Sequence, residues 1–196
     1  MNALELIRTR RSTRNFLDKP LEAAQLEQIL EAGRYAPSGG NNQYTHFLVL
    51  QDRAVLEKLA ALVKQEFAKM EPTPGMYKSM VNSILASKKE VYCFYYHAPA
   101  LIITANRFDY TNNIADCACA LENMMLMANA LDLGSCWINQ LKWLNENETV
   151  MPYLRSLGLE EGERPYGAVA VGWPNTPDGL PNRTPLERKG NRVTIV

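Results

Sequence analysis

The stretch from Asn112 to Leu133 constrains this chain more than any other. Alanine, cysteine, leucine and methionine fill most of its positions, so a helix built there is apolar almost all round. That pattern marks a helix buried on most of its faces. It is no membrane span, because Asp116, Glu122, Asn123, Asn129 and Asp132 interrupt it and no run of 18 or more apolar residues occurs anywhere. A chain of 196 residues can bury roughly 70% of its unfolded surface, so a single domain covering residues 1–196 can enclose such a helix. With 46% hydrophobic and 21% charged residues, the composition is that of a soluble globular protein.

The elements around it follow from periodicity and punctuation. Asn2 to Thr9 reads as a short helix with Asn2 as its cap. Leu21 to Tyr35 is amphipathic through Leu21, Leu26, Ile29, Leu30 and Gly33, and Ala36-Pro37-Ser38-Gly39-Gly40-Asn41-Asn42 stops it. Phe47 to Leu50 reads as a strand and Ala54 to Met70 as a further helix. Residues 71–95 read as an excursion over the core carrying one more helix. Ala100 to Ala105 is a β-branched run suited to a central strand. After Gly134, the residues Cys136-Trp137-Ile138 begin another strand, Glu146 to Leu157 a helix, and Tyr166 to Val171 a strand closed by Gly172. The tail is rich in proline, asparagine and glycine and ends in Val193-Thr194-Ile195-Val196, which reads as a short strand. Helices and strands mix without a βαβ rhythm, which favours α+β.

Charge is distributed rather than absent. The formal net charge is zero, yet residues 1–20 and residues 181–196 each carry +3, leaving −6 on the 160 between them. A surface built throughout for nucleic acid or anionic membrane is therefore excluded. Four cysteines do not make a disulfide scaffold, and no apolar leader is visible at the N-terminus, so a reducing cytoplasm is the default location. Dinucleotide and P-loop fingerprints and a Gly-x-Ser-x-Gly elbow are all missing. His46 and His97 lack metal-ligand spacing and read as structural. Cys117 and Cys119 point about 200° apart on a helix, and Cys136 reads as a core residue.

Two segments are left to carry chemistry. In Arg8-Thr9-Arg10-Arg11-Ser12-Thr13-Arg14, guanidinium forks flank hydroxyls, a set that can hold a phosphate monoester by charge-assisted bonds. The same residues also suit a solvated basic turn. A nucleic-acid arm is disfavoured by the acidic remainder of the chain and by the lack of interleaved aromatics. In Pro37-Ser38-Gly39-Gly40-Asn41-Asn42-Gln43, glycines allow close backbone approach to a planar ligand and amides match a heterocycle edge. A plain helix-terminating loop explains these residues equally well.

Taken in order and spacing, the pieces resemble the flavin-dependent nitroreductase family. The matching residues are Arg10 to Phe16, Ala36 to Gln43, Asp116 with Glu122 to Leu126, Leu131 to Ile138, Val171 to Pro174 and Arg183 to Glu187. Tyr44-Thr45 stand where members often have Pro-Trp, Asp132 stands where a glycine is common, and residues 71–95 match least. They lie where members shape a variable substrate pocket.

The resemblance implies a nitroreductase-like α+β fold. A central, mainly antiparallel sheet would be flanked by helices, and the C-terminal tail would extend onto a partner subunit. It implies a homodimer with FMN at the interface, the helix of residues 112–133 forming much of the dimer core. Arg10, Ser12 and Arg183 would hold the FMN phosphate with Arg11 alongside, and Arg14 would sit by the flavin N1/O2 edge. Pro37, Ser38, Gly39 and Asn41 would come from the other subunit, supported by Gln43. Backbone around Ser135, Cys136, Trp137 and Ile138 would approach the ring near N5. The implied activity is ping-pong hydride transfer from NAD(P)H through FMN to a small electron-poor acceptor such as a nitroaromatic, quinone or activated alkene. It needs no metal and no catalytic side chain, since the flavin does the chemistry. The alternatives are a flavoprotein of this fold with another electron source or an oxidative or flavin-cleaving role, and a non-catalytic flavin- or phosphate-binding module.

Overall fold

The computed structural model describes all residues 1–196. Four strands form one sheet in the order β1 (His46–Leu50), β2 (Ala100–Arg107), β4 (Glu163–Gly172), β3 (Gly134–Ile138), and every neighbouring pair is antiparallel. The β-branched run thus lies in an inner strand, where all but its last residue are buried. The sheet divides the core in two, because successive strand side chains point to opposite faces. Leu101 and Ile103 of β2 and Ala168 and Ala170 of β4 face one core, which is closed by α3 (Arg53–Ala68), α4 (Lys78–Ser87) and α7 (Val150–Ser156). Ala100, Ile102, Val169 and Val171 face the other, which is closed by α2 (Ala23–Arg34) and α5 (Asn113–Ala130).

The N-terminal helix α1 (Ala3–Thr9) is capped by the Asn2 side chain, which accepts from Glu5 N at 2.9 Å. The long helix α5 buries Cys117, Leu121, Met124, Met125 and Ala128 against the sheet and α2. One side of it is open, however. Ile114 is 50% exposed, Ala115 and Cys119 are exposed, and Leu126 and Met127 are partly so. Apolar side chains therefore line much of the outer side, interrupted by Glu122 and Asn123, on a helix whose inner side is fully packed.

Two expectations need correction. The helix read from Glu146 to Leu157 begins only at Val150, because Asn147 Oδ1 accepts from both Thr149 N and Val150 N and holds the preceding residues in a turn. A short α6 (Gln140–Trp143) precedes that turn. The tail residues 193–196 form no strand: nothing pairs with them, and Thr184 to Val196 are exposed. Their apolar alternation has no sheet edge to join within the chain.

Candidate functional site

The arginine segment leaves α1 and runs along the free edge of β3. Ser12 bridges Ser135 in parallel, and Thr13 N donates to Ser135 O at 2.8 Å. The approach is possible because residue 134 is glycine. A Cβ there would lie 2.7 Å from Thr13 Cβ, a distance that no packed side chain tolerates. Cys136, 2% exposed, sits beneath this segment. Burial pushes its thiol up from the usual range, against the opposing pull of Arg14, the Ser12 hydroxyl and Arg10. Arg10 also lies 3.5 Å from Glu122 of α5. Ser12 and Arg14 are exposed and Arg11 is half-buried, so this edge presents guanidinium groups and a hydroxyl to solvent.

The tail returns to the same end of the chain. Arg183 donates from Nη2 to the main-chain oxygen of Asn129 and pairs with Asp132 Oδ1 at 2.6 Å. Arg11 donates to Thr184 O. Three guanidinium groups and one hydroxyl therefore gather where α1, the last turn of α5 and the tail meet. As a donor set it suits a small dianion better than any neutral ligand.

The Pro37–Gln43 loop lies elsewhere. Gly39 N donates to Asp116 Oδ1 at 3.1 Å, and Tyr110 Oη donates to Gly39 O at 3.2 Å. Ser38 Oγ accepts from Gln43 N, and Gln43 Nε2 donates to Asn41 O. Gly40, Asn41 and Gln43 all have positive φ, near 55°, so the loop is tightly coiled. Beneath it, a cavity of about 140 Å³ is lined by Pro37, Ser38, Gln43, Thr45 and Asp116. The second Asp116 oxygen is buried without a hydrogen-bond partner in the chain.

Asp116 and Asn129 are thirteen residues apart on α5, about 20 Å along its axis. The sheet repeats the separation. Ser135 lies on the register row of Val171 and Ala100, whereas His46, just after the loop, pairs with Ala105. Arg10, Arg11, Ser12, Arg14, Arg183, Ser135 and Cys136 come together at one end of the chain. Trp137 and Ile138 continue along β3, Trp137 against the α5 side of the sheet and Ile138 in the opposite core. Pro37, Ser38, Gly39, Asn41 and Gln43 come together at the other end.

The sequence reading gave Asp116 only as part of the family match and assigned no place in the site to Asn129, Tyr110 or Tyr96, which the structure sets against the two segments. The signal for the first two was present: a buried polar residue in an otherwise apolar helix must have a partner to satisfy. Tyr96 had no such signal. It and His97 have φ of 58° and 54°, two consecutive left-handed residues at roughly 1–2 kcal/mol each. The bend brings the Tyr96 ring to 5.8 Å from the Arg14 guanidinium. His46 is tied to Glu163 Oε2 at 2.8 Å across the sheet.

The sequence pattern described as the Nitroreductase family matches residues 7–173. A provisionally named NADH dehydrogenase/NAD(P)H nitroreductase of Archaeoglobus fulgidus is 33% identical over 172 residues, covering 87% of this chain and 84% of that protein. An oxygen-insensitive NADPH nitroreductase of Salmonella typhimurium is 26% identical over 188 residues, covering 94% of this chain and 70% of its relative. A solved nitroreductase with bound FMN from Bacteroides fragilis is similar over the full length of both chains, at 39% identity and a TM-score of 0.86.

Proposed function

The chain belongs to the nitroreductase family, and from that membership we propose that it is an FMN-dependent NAD(P)H oxidoreductase acting as a homodimer with flavin at the subunit boundary. The observation that carries the proposal is the division of the site. In one chain the ring-suited loop is anchored on Asp116 at one end of α5, while the tail arginine of the phosphate-suited set is anchored on Asn129, about 20 Å away at the other end. A two-fold arrangement of α5 against α5 would bring the loop of one subunit to the arginine cluster of its partner. The uncovered side chains Ile114, Cys119, Leu126 and Met127, with Glu122 among them, support that arrangement, since exposed apolar surface of this kind marks an interface. The tail beyond Thr184 would then extend onto the partner.

Within such a site, Arg10, Arg11, Ser12 and Arg183 would bind the phosphate, as donors of complementary charge. Arg14, flanked by Tyr96 and Cys136, would present a fixed cation to the N1/O2 edge. A charge already in place stabilises developing negative charge without reorganisation. Pro37, Ser38, Gly39 and Asn41, braced by Gln43 and Asp116, would cover the ring from the partner subunit. The backbone of residues 135–138 would line its N5 side. Bound FMN supplies two-electron hydride chemistry, serving NAD(P)H first and an electron-poor nitroaromatic, quinone or activated alkene second. The four unpaired cysteines suit a reducing cytoplasm.

The test is a visible spectrum of the purified protein followed by anaerobic mixing with NADH and with NADPH. A yellow protein whose flavin bleaches with one of them, and recovers colour on adding a nitroaromatic or quinone, is expected. A colourless protein that takes up no FMN, or a flavin that neither nucleotide reduces, would overturn the proposal.

A further inference from the structure

The tail arginine is held by a carboxylate that stands at a strained position. Asp132 has φ 60°, at the left-handed turn closing α5, where Leu133 N donates to Ala128 O at 2.9 Å. Glycine adopts that conformation most cheaply, yet an aspartate occupies it. Its side chain makes one ion pair, to Arg183 Nη2 at 2.6 Å. The same Nη2 donates to Asn129 O, and Arg183 Nε donates to Asn129 Oδ1 at 3.3 Å. Asn129 is 3% exposed, and its amide nitrogen donates to Leu6 O and Thr9 Oγ1, both at 3.1 Å. It therefore locks the tail to the end of α1, from which Arg10 and Ser12 emerge.

Arginine has five N–H donors in a planar fork. Three are committed here: one at Nε and two at Nη2. The pair on Nη1 is not engaged within the chain. We propose that Asp132 and Asn129 are positioning residues that fold Arg183 onto the arginine cluster before any ligand arrives, leaving the Nη1 edge to bind the phosphate monoester of the flavin. This rests on the flavin reading above and deepens it. A long, rotamer-rich side chain that is already ordered loses less freedom on binding, so the tether raises affinity for the phosphorylated flavin without touching the ring. It therefore tunes discrimination between FMN and riboflavin, which share the ring and differ in the phosphate.

Asp132→Gly is the informative variant, because glycine accepts φ 60° freely and stability is expected to be kept or raised. Full-length protein stripped of flavin is titrated with FMN and with riboflavin. The variant is expected to bind FMN roughly five- to tenfold more weakly, the loss of one positioned hydrogen bond, with riboflavin affinity unchanged and the melting temperature of the stripped protein not lowered. Trypsin is expected to cut after Arg183 faster in the stripped variant than in the stripped parent, and Asp132→Asn is expected to recover part of the FMN affinity. Unchanged or tighter FMN binding, or an equal loss for riboflavin, would overturn the proposal. Arg183→Ala separates the two levels. If it weakens FMN binding while Asp132→Gly does not, the positioning role alone falls. If it leaves FMN binding unchanged, the phosphate assignment of Arg183 falls with it.

Discussion

Combining an Arg10→Ala/Arg14→Ala chain with a Gly39→Val chain in one dimer tests whether each site draws on two subunits. The first variant removes two charge-assisted partners at roughly 1.5–3 kcal/mol each, which weakens flavin binding by about a hundredfold to ten-thousandfold. The second displaces the loop: a Cβ at Gly39 would lie 2.4 Å from Tyr110 Oη and 2.9 Å from Asn112 Nδ2. Either variant alone is expected to purify without flavin. The anchors of the loop and of Arg183, Asp116 and Asn129, lie about 20 Å apart along α5, and in the proposed two-fold arrangement each site draws its loop and its arginines from different subunits. In a heterodimer selected with two tags, both lesions then fall in one site and the other site is intact. One FMN per heterodimer is expected, read from the ratio of flavin to protein absorbance. An unselected equal mixture is expected to hold roughly a quarter of the parent occupancy, since half of its dimers are mixed and each has one sound site. A heterodimer with no flavin would show that both parts of the site come from the same chain, and would refute the reasoning from distance.

Arg14→Gln removes the fixed cation while keeping length. If Arg14 faces the N1/O2 edge, about 1–2 kcal/mol of charge stabilisation is lost on reduction, and the two-electron midpoint potential falls by roughly 20–40 mV, as read by dye-equilibrated reduction. Gly167→Ala places a Cβ 2.5 Å from Leu121 Cδ1 inside a full core; overpacking of this kind is expected to destabilise by roughly 1–3 kcal/mol, measured by urea unfolding. Cys119 is exposed along the open side of α5, so if α5 packs against α5 as proposed, alkylation is expected to be slow in the parent and fast in an Ile114→Glu variant that cannot pair. Cys117 is buried and its thiol is pushed up to about 12, chiefly by burial. It remains an unreactive thiol at pH 8, and mass-mapped labelling there ahead of Cys119 would contradict the assignment.

The helix of residues 113–130 and the strands containing Ala100–Ala105 and Tyr166–Val171 were legible because their signals are local. A β-branched run after Pro99 and an apolar stretch ended by a turn leave little choice of conformation. The turn before Val150 was not legible, since Asn147 stops the helix by a side-chain bond that has no periodic signature. For the site, the arginine segment and the glycine loop announced their residue types, and the family resemblance added roles.

Sequence alone determined which segments could carry an anion and a ring, that the fold is α+β, and that its longest helix is apolar almost all round. Tertiary structure decided how these parts are divided. Ser12 lies on the edge of β3, 123 residues further along the chain, through one main-chain bridge. Arg183 returns to Asn129 and Asp132 across more than fifty residues. Asp132 and Tyr96 adopt left-handed conformations that their own residue types disfavour. Contacts of this range and single dihedrals held by surrounding packing leave no imprint on local periodicity. The separation of loop from arginine cluster is of the same kind: it follows from the length of α5 and the register of the sheet, which exist only once the chain has folded.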